Sequence, residues 1–219
     1  MAEFIAILDF GSQYTQLIAR RVRENRVYCE ILPYNTTAND LRDRPLKGII
    51  LSGGPASVYD DGAPDMDPEL LSLGVPVLGI CYGMQLACRQ LGSEVVASTS
   101  REYGAAAIRL AETSLFQGIS NQTTVWMSHG DRVTQLSDAF ETIGETESCP
   151  YAAVVHRPTG FIGLQFHPEV THTPEGKTIL NNYLYQICGC SGDWTLSDFI
   201  SNQIDAVREQ VQGQSVVCG

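Results

Sequence analysis

One cysteine of the sequence lies in a motif that is typical of a nucleophile. The segment GICYG (79–83) follows the apolar run Val77–Ile80 and opens a stretch with helical periodicity. Small residues on both sides of a nucleophile permit the sharp strand-to-helix turn of a nucleophile elbow. Near a helix N-terminus, the macrodipole and free backbone amides favour thiolate over thiol. The motif therefore predicts an exposed, activated sulfur at Cys81, whereas the alternative interpretation is a buried thiol at a strand end.

A histidine and a carboxylate follow a second strand-like run. The segment QFHPE (165–169) comes at the end of Phe161–Gln165, and Pro168 biases His167 toward extended backbone. Residues two apart in an extended segment project to the same side, so Glu169 can reach one imidazole nitrogen while the other nitrogen faces a nucleophile. Such a carboxylate fixes the tautomer and stabilises imidazolium. Taken alone, these could be a core histidine and a solvated charge, but beside GICYG they predict a Cys-His-Glu triad.

Two further motifs indicate a catalytic role only in combination with the two motifs above. The paired glycines of SGGP (52–55) follow the run Lys47–Leu51, and their backbone amides could form an oxyanion hole or simply a tight turn. The segment WMSHGD (126–131) is a polar cluster at a strand end, which by itself could be any hydrogen-bonded turn. The remaining histidines have no carboxylate so suggestively placed in the sequence; they are His129, His156 and His172.

Short apolar runs alternate along the chain with segments of helical periodicity. This alternation predicts that the motifs are positioned by an α/β fold with a mostly parallel twisted sheet and flanking helices. Later strand-like runs arrive without long helices between them, so part of that half is expected to be antiparallel. Helices are predicted over Tyr14–Arg23 and over MQLACRQLG (84–92), with Gly92 as the stop. The strand-like runs are Phe4–Leu8, Val27–Ile31, Gly48–Leu51, Val77–Ile80, Ala105–Leu110, Thr124–Met127, Ala152–His156 and Phe161–Gln165.

The pattern changes after residue 190. From Trp194 onward, apolar residues repeat at helical spacing over a polar opposite face, which predicts an amphipathic helix with Gly213 at its end. The run 215–219 resembles the opening of a strand whose partners are missing. We therefore expect one domain over 1–190, followed over 191–219 by a linker helix and the start of another domain. The apolar stripe consists of Ile200, Ile204, Val207 and Val211.

Composition excludes several classes of protein. The 219 residues suit one larger α/β unit, and a formal net charge of -11 argues against a nucleic-acid partner. The N-terminus has no signal-peptide pattern, and no apolar run reaches the roughly eighteen residues that span a bilayer, so a cytoplasmic location is expected. Seven scattered cysteines argue against a disulfide framework, and Cys188-Gly-Cys190 lacks the second pair of a zinc site.

With its motifs in this order, the chain resembles the class I glutamine amidotransferases over nearly all of residues 1–190. Within that family it is similar to the amidotransferase domains of GMP synthetases. The stretches that carry the resemblance are DFGSQYTQLIARRVRE, LSGGPASVYD, GICYGMQ, WMSHGD and HPEVTHTPEG.

The resemblance implies a flavodoxin-like α/β fold and hydrolysis of the glutamine side-chain amide. Cys81 would be the nucleophile, His167 the general base and then acid, and Glu169 the residue that orients the imidazole. Backbone amides would form the oxyanion hole, and other side chains would position the amino and carboxylate groups of glutamine. The oxyanion-hole amides belong to Gly54 and Tyr82, and the glutamine-binding residues are Gln85, Ser128 and His129.

The resemblance also implies partners. Glutamine is the substrate, and the ammonia passes to an ATP-dependent synthetase (ATP pyrophosphatase) domain or subunit that aminates xanthosine monophosphate to GMP. The glutaminase step needs no metal or organic cofactor, whereas ATP and Mg²⁺ belong to the synthetase. Two other functions stay open: a stand-alone γ-glutamyl hydrolase, and a non-catalytic module that senses glutamine or docks onto a synthetase.

Overall fold

The structure, a computed structural model, describes the backbone of residues 3–212; the side chains at 98–101, 198–199, 202–203 and 206 are outside the description. Nine strands form one sheet within this part of the chain. They are β1 (Phe4–Asp9), β2 (Cys29–Pro33), β3 (Leu46–Leu51), β4 (Val77–Ile80), β5 (Glu94–Leu110), β6 (Gln122–Gln135), β7 (Phe140–Thr146), β8 (Ala153–His156) and β9 (Phe161–Leu164).

Helices connect and cover these strands. They are α1 (Thr15–Glu24), α2 (Ala38–Arg42), α3 (Tyr82–Gln90), α4 (Gly176–Asn182) and α5 (Leu196–Val211). Short 3-10 turns lie at Pro68–Ser72 and Ser114–Phe116, and α4 continues into a π-helical turn at Tyr183–Ile187. None of the described helices has the length and apolar character that crossing a bilayer requires.

The sheet has a parallel half and an antiparallel half, in the order β2-β1-β3-β4-β9-β8-β7-β5-β6. The strands from β2 to β9 run parallel, and each later pairing from β9 to β6 is antiparallel. The neighbours β4 and β9 meet in the register Ile80↔Leu164. Because parallel strands end at the same edge of a sheet, the residues that follow Ile80 and Leu164 are brought together there.

Apolar side chains cover both faces of the parallel half, as is typical of strands that lie between two helix layers. Along β1, Ile5 and Ile7 pack into one buried cluster while Phe4, Ala6 and Leu8 pack into the other. Helices α1 and α4 contribute to the first cluster, and α2 and α3 contribute to the second. The two layers hold the central strands, and therefore the edge beyond Ile80 and Leu164, in a fixed position.

The α/β class, the parallel sheet and its antiparallel later half are confirmed. Strand β4 has the predicted bounds, and α3 ends before Gly92, whose φ of 86° is the left-handed conformation of a helix stop. The prediction of a strand over Val27–Ile31 is wrong by two residues, because Arg26 has a φ of 56° and the Val27 N–H still bonds the carbonyl of Val22. The chain is still turning there, so β2 starts at Cys29.

Other boundaries are also wrong. The run predicted at Ala105–Leu110 is only the last part of the long strand β5, and Thr124–Met127 is the middle of β6. The first part of β5 pairs with the last part of β6, and both segments mix polar with apolar residues, so apolar patterning does not mark them. Strand β7 and helix α4 were not predicted.

The predicted C-terminal helix is present as α5. Its side chains Ile200, Ile204 and Val207 are each about half exposed, at 49%, 46% and 51%. The segment before α5 is held to the body, since the Trp194 N–H bonds the carbonyl of Arg26 at 3.1 Å. The predicted stop at Gly213 and the strand-like run 215–219 lie outside the described residues.

Candidate active site

Cys81 lies at a sharp turn between β4 and α3. Its backbone has φ 51° and ψ -107°, a conformation that non-glycine residues rarely adopt and that stores strain. A Cβ at Gly83 would lie 2.5 Å from Leu51 Cβ, and one at Gly79 would lie 2.7 Å from the Met84 nitrogen. The turn is therefore possible only with small residues on both sides of Cys81. The prediction of an exposed sulfur is wrong in one respect, because Cys81 is only 6% exposed and faces a cavity.

His167 and Glu169 follow the neighbouring strand β9 and form a buried pair. Nδ1 of His167 lies 2.7 Å from Oε1 of Glu169, and the Glu169 side chain is fully buried. The backbone of His167 is also fixed: its N–H donates to the carbonyl of Trp126 at 3.1 Å, and its carbonyl accepts from the Thr173 hydroxyl at 2.7 Å. Both the position and the orientation of the imidazole are thus determined by hydrogen bonds.

The imidazole is electrostatically coupled to the sulfur. Burial disfavours the charged ring, but side-chain hydrogen bonds with Cys81 and Glu169 outweigh it and raise the pKa of His167 to about 10. Since Nδ1 is engaged by Glu169, the other ring nitrogen is the one available to Cys81. Two further groups border the sulfur: the Ser128 carbonyl and the Gln165 amide nitrogen, each 3.7 Å from Sγ.

The paired glycines after β3 lie against both reactive side chains. A Cβ at Gly53 would be 3.4 Å from His167 Cε1 and 3.7 Å from Cys81 Cβ. A Cβ at Gly54 would be 3.3 Å from Tyr82 Cγ and 2.7 Å from the carbonyl oxygen of Phe10. The backbone at Gly54 and the first turn of α3 at Tyr82 therefore border the same space beside Cys81.

A cavity of about 650 Å³ opens in front of the sulfur. Tyr14 forms part of its wall, and its ring meets the His167 ring edge-on at 5.3 Å between centroids. Gln85 is buried, and its amide nitrogen donates to the Asp131 carbonyl at 2.9 Å and to Gln165 Oε1 at 3.1 Å. Six of the eight residues that the resemblance assigned to catalysis or binding border this cavity, and Tyr82 and Glu169 do not. The six are Gly54, Cys81, Gln85, Ser128, His129 and His167.

His129 has a carboxylate beside it that comes from a residue distant in the sequence. Oε2 of Glu102 lies 3.3 Å from His129 Nε2, and the His129 side chain is only 3% exposed. The two residues are directly opposite each other in the pairing of β5 with β6. Burial lowers the pKa of His129, and the nearby carboxylate of Glu102 offsets this only in part. Sequence reasoning missed this contact, as it missed Gln165 beside the sulfur and Thr173 beside His167.

The remaining cysteines have surroundings unlike those of Cys81. Cys88, on the inner side of α3, is fully buried, and burial raises the pKa of its thiol. Burial likewise raises the pKa of Cys188 to about 12 and of Cys190 to about 11. Among the residues that the structure describes, no three His, Cys, Asp or Glu side chains are placed to hold a metal ion together.

Comparison with known proteins defines the class. The sequence profile described as "Glutamine amidotransferase class-I" matches residues 6–187, so this chain belongs to the class I glutamine amidotransferase family. Among solved structures, a Thermoplasma acidophilum protein assigned as one of the subunits of a GMP synthase is similar, with a TM-score of 0.73 and 27% identity. The similarity covers 93% of this chain and 98% of that one.

Two curated relatives narrow the class further. The chain is 52% identical to GMP synthase (glutamine-hydrolyzing) from Acetivibrio thermocellus, over 99% of this chain and 42% of the relative. It is 51% identical to the protein of the same name from Azoarcus sp., over 98% of this chain and 43% of the relative. The chain thus spans less than half the length of the curated relatives that it matches.

Proposed function

We propose that this chain hydrolyses the side-chain amide of glutamine to glutamate and ammonia. The observation that carries the proposal is the buried Cys81-His167-Glu169 array beside a polar cavity, in a chain of the class I glutamine amidotransferase family. The strained backbone at Cys81 supports it, because strain of this kind is kept where a reactive group must be presented.

The proposed reaction starts from the form in which the proton of Cys81 lies on His167. The thiolate attacks the side-chain carbonyl carbon, and the oxygen takes up the electron pair as an oxyanion. The amide N–H groups of Gly54 and Tyr82 stabilise that oxyanion. When the tetrahedral intermediate collapses, the carbon–nitrogen bond breaks and the imidazolium protonates the departing nitrogen, so ammonia leaves and a thioester remains.

Water completes the cycle. His167, now neutral, takes a proton from a water molecule as that water attacks the thioester, and the sulfur leaves as the thiolate. Glu169 keeps the proton on Nδ1 and stabilises the imidazolium each time it forms. The products are glutamate and ammonia, and no metal or organic cofactor takes part.

Substrate positioning is assigned to the polar groups around the cavity. Gln85 is held by two hydrogen bonds at its amide nitrogen, which directs the side chain into a defined orientation. Ser128 and His129 also line the cavity, and the Ser128 carbonyl oxygen lies 3.7 Å from the sulfur. We assign these three residues to the amino and carboxylate groups of glutamine.

We further propose that the ammonia is used by a synthetase portion of the same enzyme. In this proposal residues 1–190 are the glutaminase domain, and residues 191–219 are the connection to the synthetase portion. Support comes from the relatives, whose name is GMP synthase (glutamine-hydrolyzing) and which are more than twice as long as this chain. The acceptor would be xanthosine monophosphate, and ATP and Mg²⁺ would act in the synthetase portion. The half-exposed apolar residues of α5 are available for contact with it.

Selective labelling tests the proposed chemistry against the two alternatives. A glutamine-analogue electrophile, such as a diazo-ketone analogue, should modify Cys81 alone, and peptide mapping by mass spectrometry identifies the site. A non-catalytic module would be labelled unselectively or not at all. A γ-glutamyl hydrolase would release glutamate faster from γ-glutamyl peptides than from glutamine, which product analysis of the two substrates distinguishes.

Coupling to the synthetase is tested by reconstitution. Glutamate release by this chain is measured at saturating glutamine, with and without the synthetase portion of a GMP synthase and its nucleotide substrates. We expect a low rate for the chain alone and a higher rate in the mixture. Equal rates, both near the ordinary enzyme value of about 10 per second, would contradict the coupling and leave the glutaminase activity standing.

A further inference from the structure

The carboxylate of Glu169 is oriented by few contacts of its own. Residues 165–175, between β9 and α4, belong to no helix or strand, and Glu169 lies in a turn among them. Its Oε1 lies 2.7 Å from Nδ1 of His167, whereas Oε2 is buried without a hydrogen-bond partner among the described residues. Because no second hydrogen bond orients the carboxylate, its direction depends on the packing around it and on what holds its backbone.

A side chain from α1 holds that backbone. Nε of Arg21 donates to the carbonyl oxygen of Glu169 at 3.0 Å, across 148 positions of the sequence. The same guanidinium donates from Nη1 to Oε2 of Glu24 at 2.8 Å. Both bonds are charge-assisted and therefore stronger than bonds between neutral groups, and together they fix the plane of the guanidinium. Arg21 thus joins α1 to the turn that carries the orienting carboxylate.

Helix α1 meets the triad at a second point. Tyr14, directly before the first residue of α1, places its ring edge-on against the His167 ring at 5.3 Å between centroids. Tyr14 and Arg21 are seven residues apart, which is about two helical turns, so both lie on the same side of the helix. One side of α1 therefore runs along the segment from His167 to Glu169.

The simplest alternative is that Arg21 only forms an ion pair on the helix surface, and its neighbour Arg20 shows what such a pair looks like. Nε of Arg20 lies 3.0 Å from Oε1 of the same Glu24, and the Arg20 side chain is 73% exposed. The Arg21 side chain is only 12% exposed. A pair with Glu24 thus forms without burying a guanidinium, so the burial of Arg21 goes with its contact to Glu169.

We propose that Arg21 is a positioning residue of the active site: by holding the carbonyl of Glu169, it aims the carboxylate at the imidazole of His167. This inference rests on the proposed glutaminase function and adds a residue to it. Arg21 does not line the cavity beside Cys81, so it acts on the reaction through Glu169. The N–H donor at Nε carries this role, and the positive charge does not.

Two substitutions of Arg21 separate the donor from the charge. In Arg21→Gln, the amide nitrogen is at the same distance along the side chain as Nε of arginine, so the variant keeps an N–H for the Glu169 carbonyl and loses the charge. In Arg21→Met, a side chain of similar length has neither donor nor charge. The matched control is Arg20→Met, because Arg20 lies on the same helix and binds the same Glu24 with an exposed side chain.

The measurement is steady-state glutamate release by each variant over a range of glutamine concentrations. We expect Arg21→Met to lower kcat by about 10- to 100-fold, because displacing a catalytic group by about 1 Å can have an effect of this size. KM should change little, since Arg21 does not border the substrate cavity. Arg21→Gln and Arg20→Met should both retain a kcat close to that of the parent protein.

A double substitution tests whether Arg21 acts through Glu169. In Glu169→Gln the carboxylate charge is already absent, so adding Arg21→Met should lower kcat much less than it does in the parent protein. Damage that spreads through the fold would instead lower kcat by the same factor in both backgrounds, as independent effects do.

Three results would overturn the inference while the proposed glutaminase stands: a kcat for Arg21→Met equal to that of Arg20→Met, equal impairment of Arg21→Gln and Arg21→Met, or equal factors in the two backgrounds. A parent protein that releases no glutamate would contradict the proposed function, and the inference with it. Circular dichroism verifies that each variant is folded. If Arg21→Met does not fold, Arg21→Ala replaces it, because alanine is the best helix former.

Discussion

Nδ1 of His167 lies 2.7 Å from Oε1 of Glu169, and neither side chain is accessible enough for water to screen the contact. The pair is formed by residues only two positions apart, just beyond the end of β9. The backbone bends and turns there, and burial of the ring is outweighed by its hydrogen bonds with Cys81 and Glu169, which raise the pKa of His167. The carboxylate therefore both orients the imidazole and stabilises its protonated form.

Neutralising the carboxylate should slow the enzyme without abolishing it. In Glu169→Gln the imidazole can still act as a base, but its tautomer is no longer enforced and its charged form is less stable. We expect turnover to fall by up to about 10⁴-fold, less than in His167→Ala, with the KM for glutamine little changed. Steady-state glutamate release measures both effects. An unchanged rate in Glu169→Gln would exclude Glu169 from the triad.

The contacts of His167 with Cys81 and Glu169 should contribute to stability in a way that depends on pH. The folded protein holds the pKa of His167 at about 10, whereas an unfolded histidine titrates near about 6.5. Folding therefore favours the protonated ring, so the contribution is complete below about pH 6.5 and is lost as the pH rises through about 10. Urea unfolding of the parent protein and His167→Asn at several pH values should show a stability difference that shrinks over this window. A difference that grows with pH would contradict the assignment.

The Thr173 hydroxyl should be needed to hold the imidazole in place. It donates to the His167 carbonyl at 2.7 Å and accepts from the Trp126 N–H at 3.0 Å. Thr173→Val keeps the shape but removes the partner of the His167 carbonyl and of the Trp126 N–H, at a cost of about 1–3 kcal/mol in the free energy of unfolding. We expect turnover to fall as well, because His167 is displaced. Thr173→Ser, which keeps the hydroxyl, should restore both properties, and a serine variant as impaired as the valine variant would refute this role.

The turn that presents Cys81 should not tolerate a methyl group at Gly83. Its Cβ would lie 2.6 Å from the Leu51 carbonyl oxygen, so α3 would have to move away from β3. We expect Gly83→Ala to lose about 1–3 kcal/mol of stability together with its activity. Gly118→Ala is the control: its φ of 80° disfavours any side chain, but open space surrounds it. The Gly118→Ala variant should lose stability and keep its activity. Normal activity in Gly83→Ala would show that the turn is more adaptable than the contacts indicate.

The catalytic motifs could be predicted from the sequence because their chemistry is local. Cys81 is defined by the small residues beside it, and His167 and Glu169 are only two residues apart in the segment that follows β9. The strand β4 was found for a similar reason, since Val77–Ile80 is buried on both faces and reads as a continuous apolar run.

Glu102 could not be predicted in the same way. Its partner His129 lies on another strand, and the pairing of β5 with β6 shifts register between Ala97 and Glu102. A shift of one residue moves every side chain to the opposite face, so the contact depends on an irregularity that no local pattern reveals. Strand β7 was missed because Phe140–Thr146 is mostly polar and is interrupted by Gly144, whose lack of a side chain accommodates Ala153.

The central claim is that one thiol among several performs the hydrolysis, and its most direct test is glutamate release by Cys81→Ala and Cys88→Ala under identical conditions. Both cysteines lie at α3, but Cys88 packs in the core and serves as the matched control. We predict that Cys81→Ala abolishes glutamine hydrolysis while Cys88→Ala retains it. Retention of glutaminase activity by folded Cys81→Ala would contradict the account.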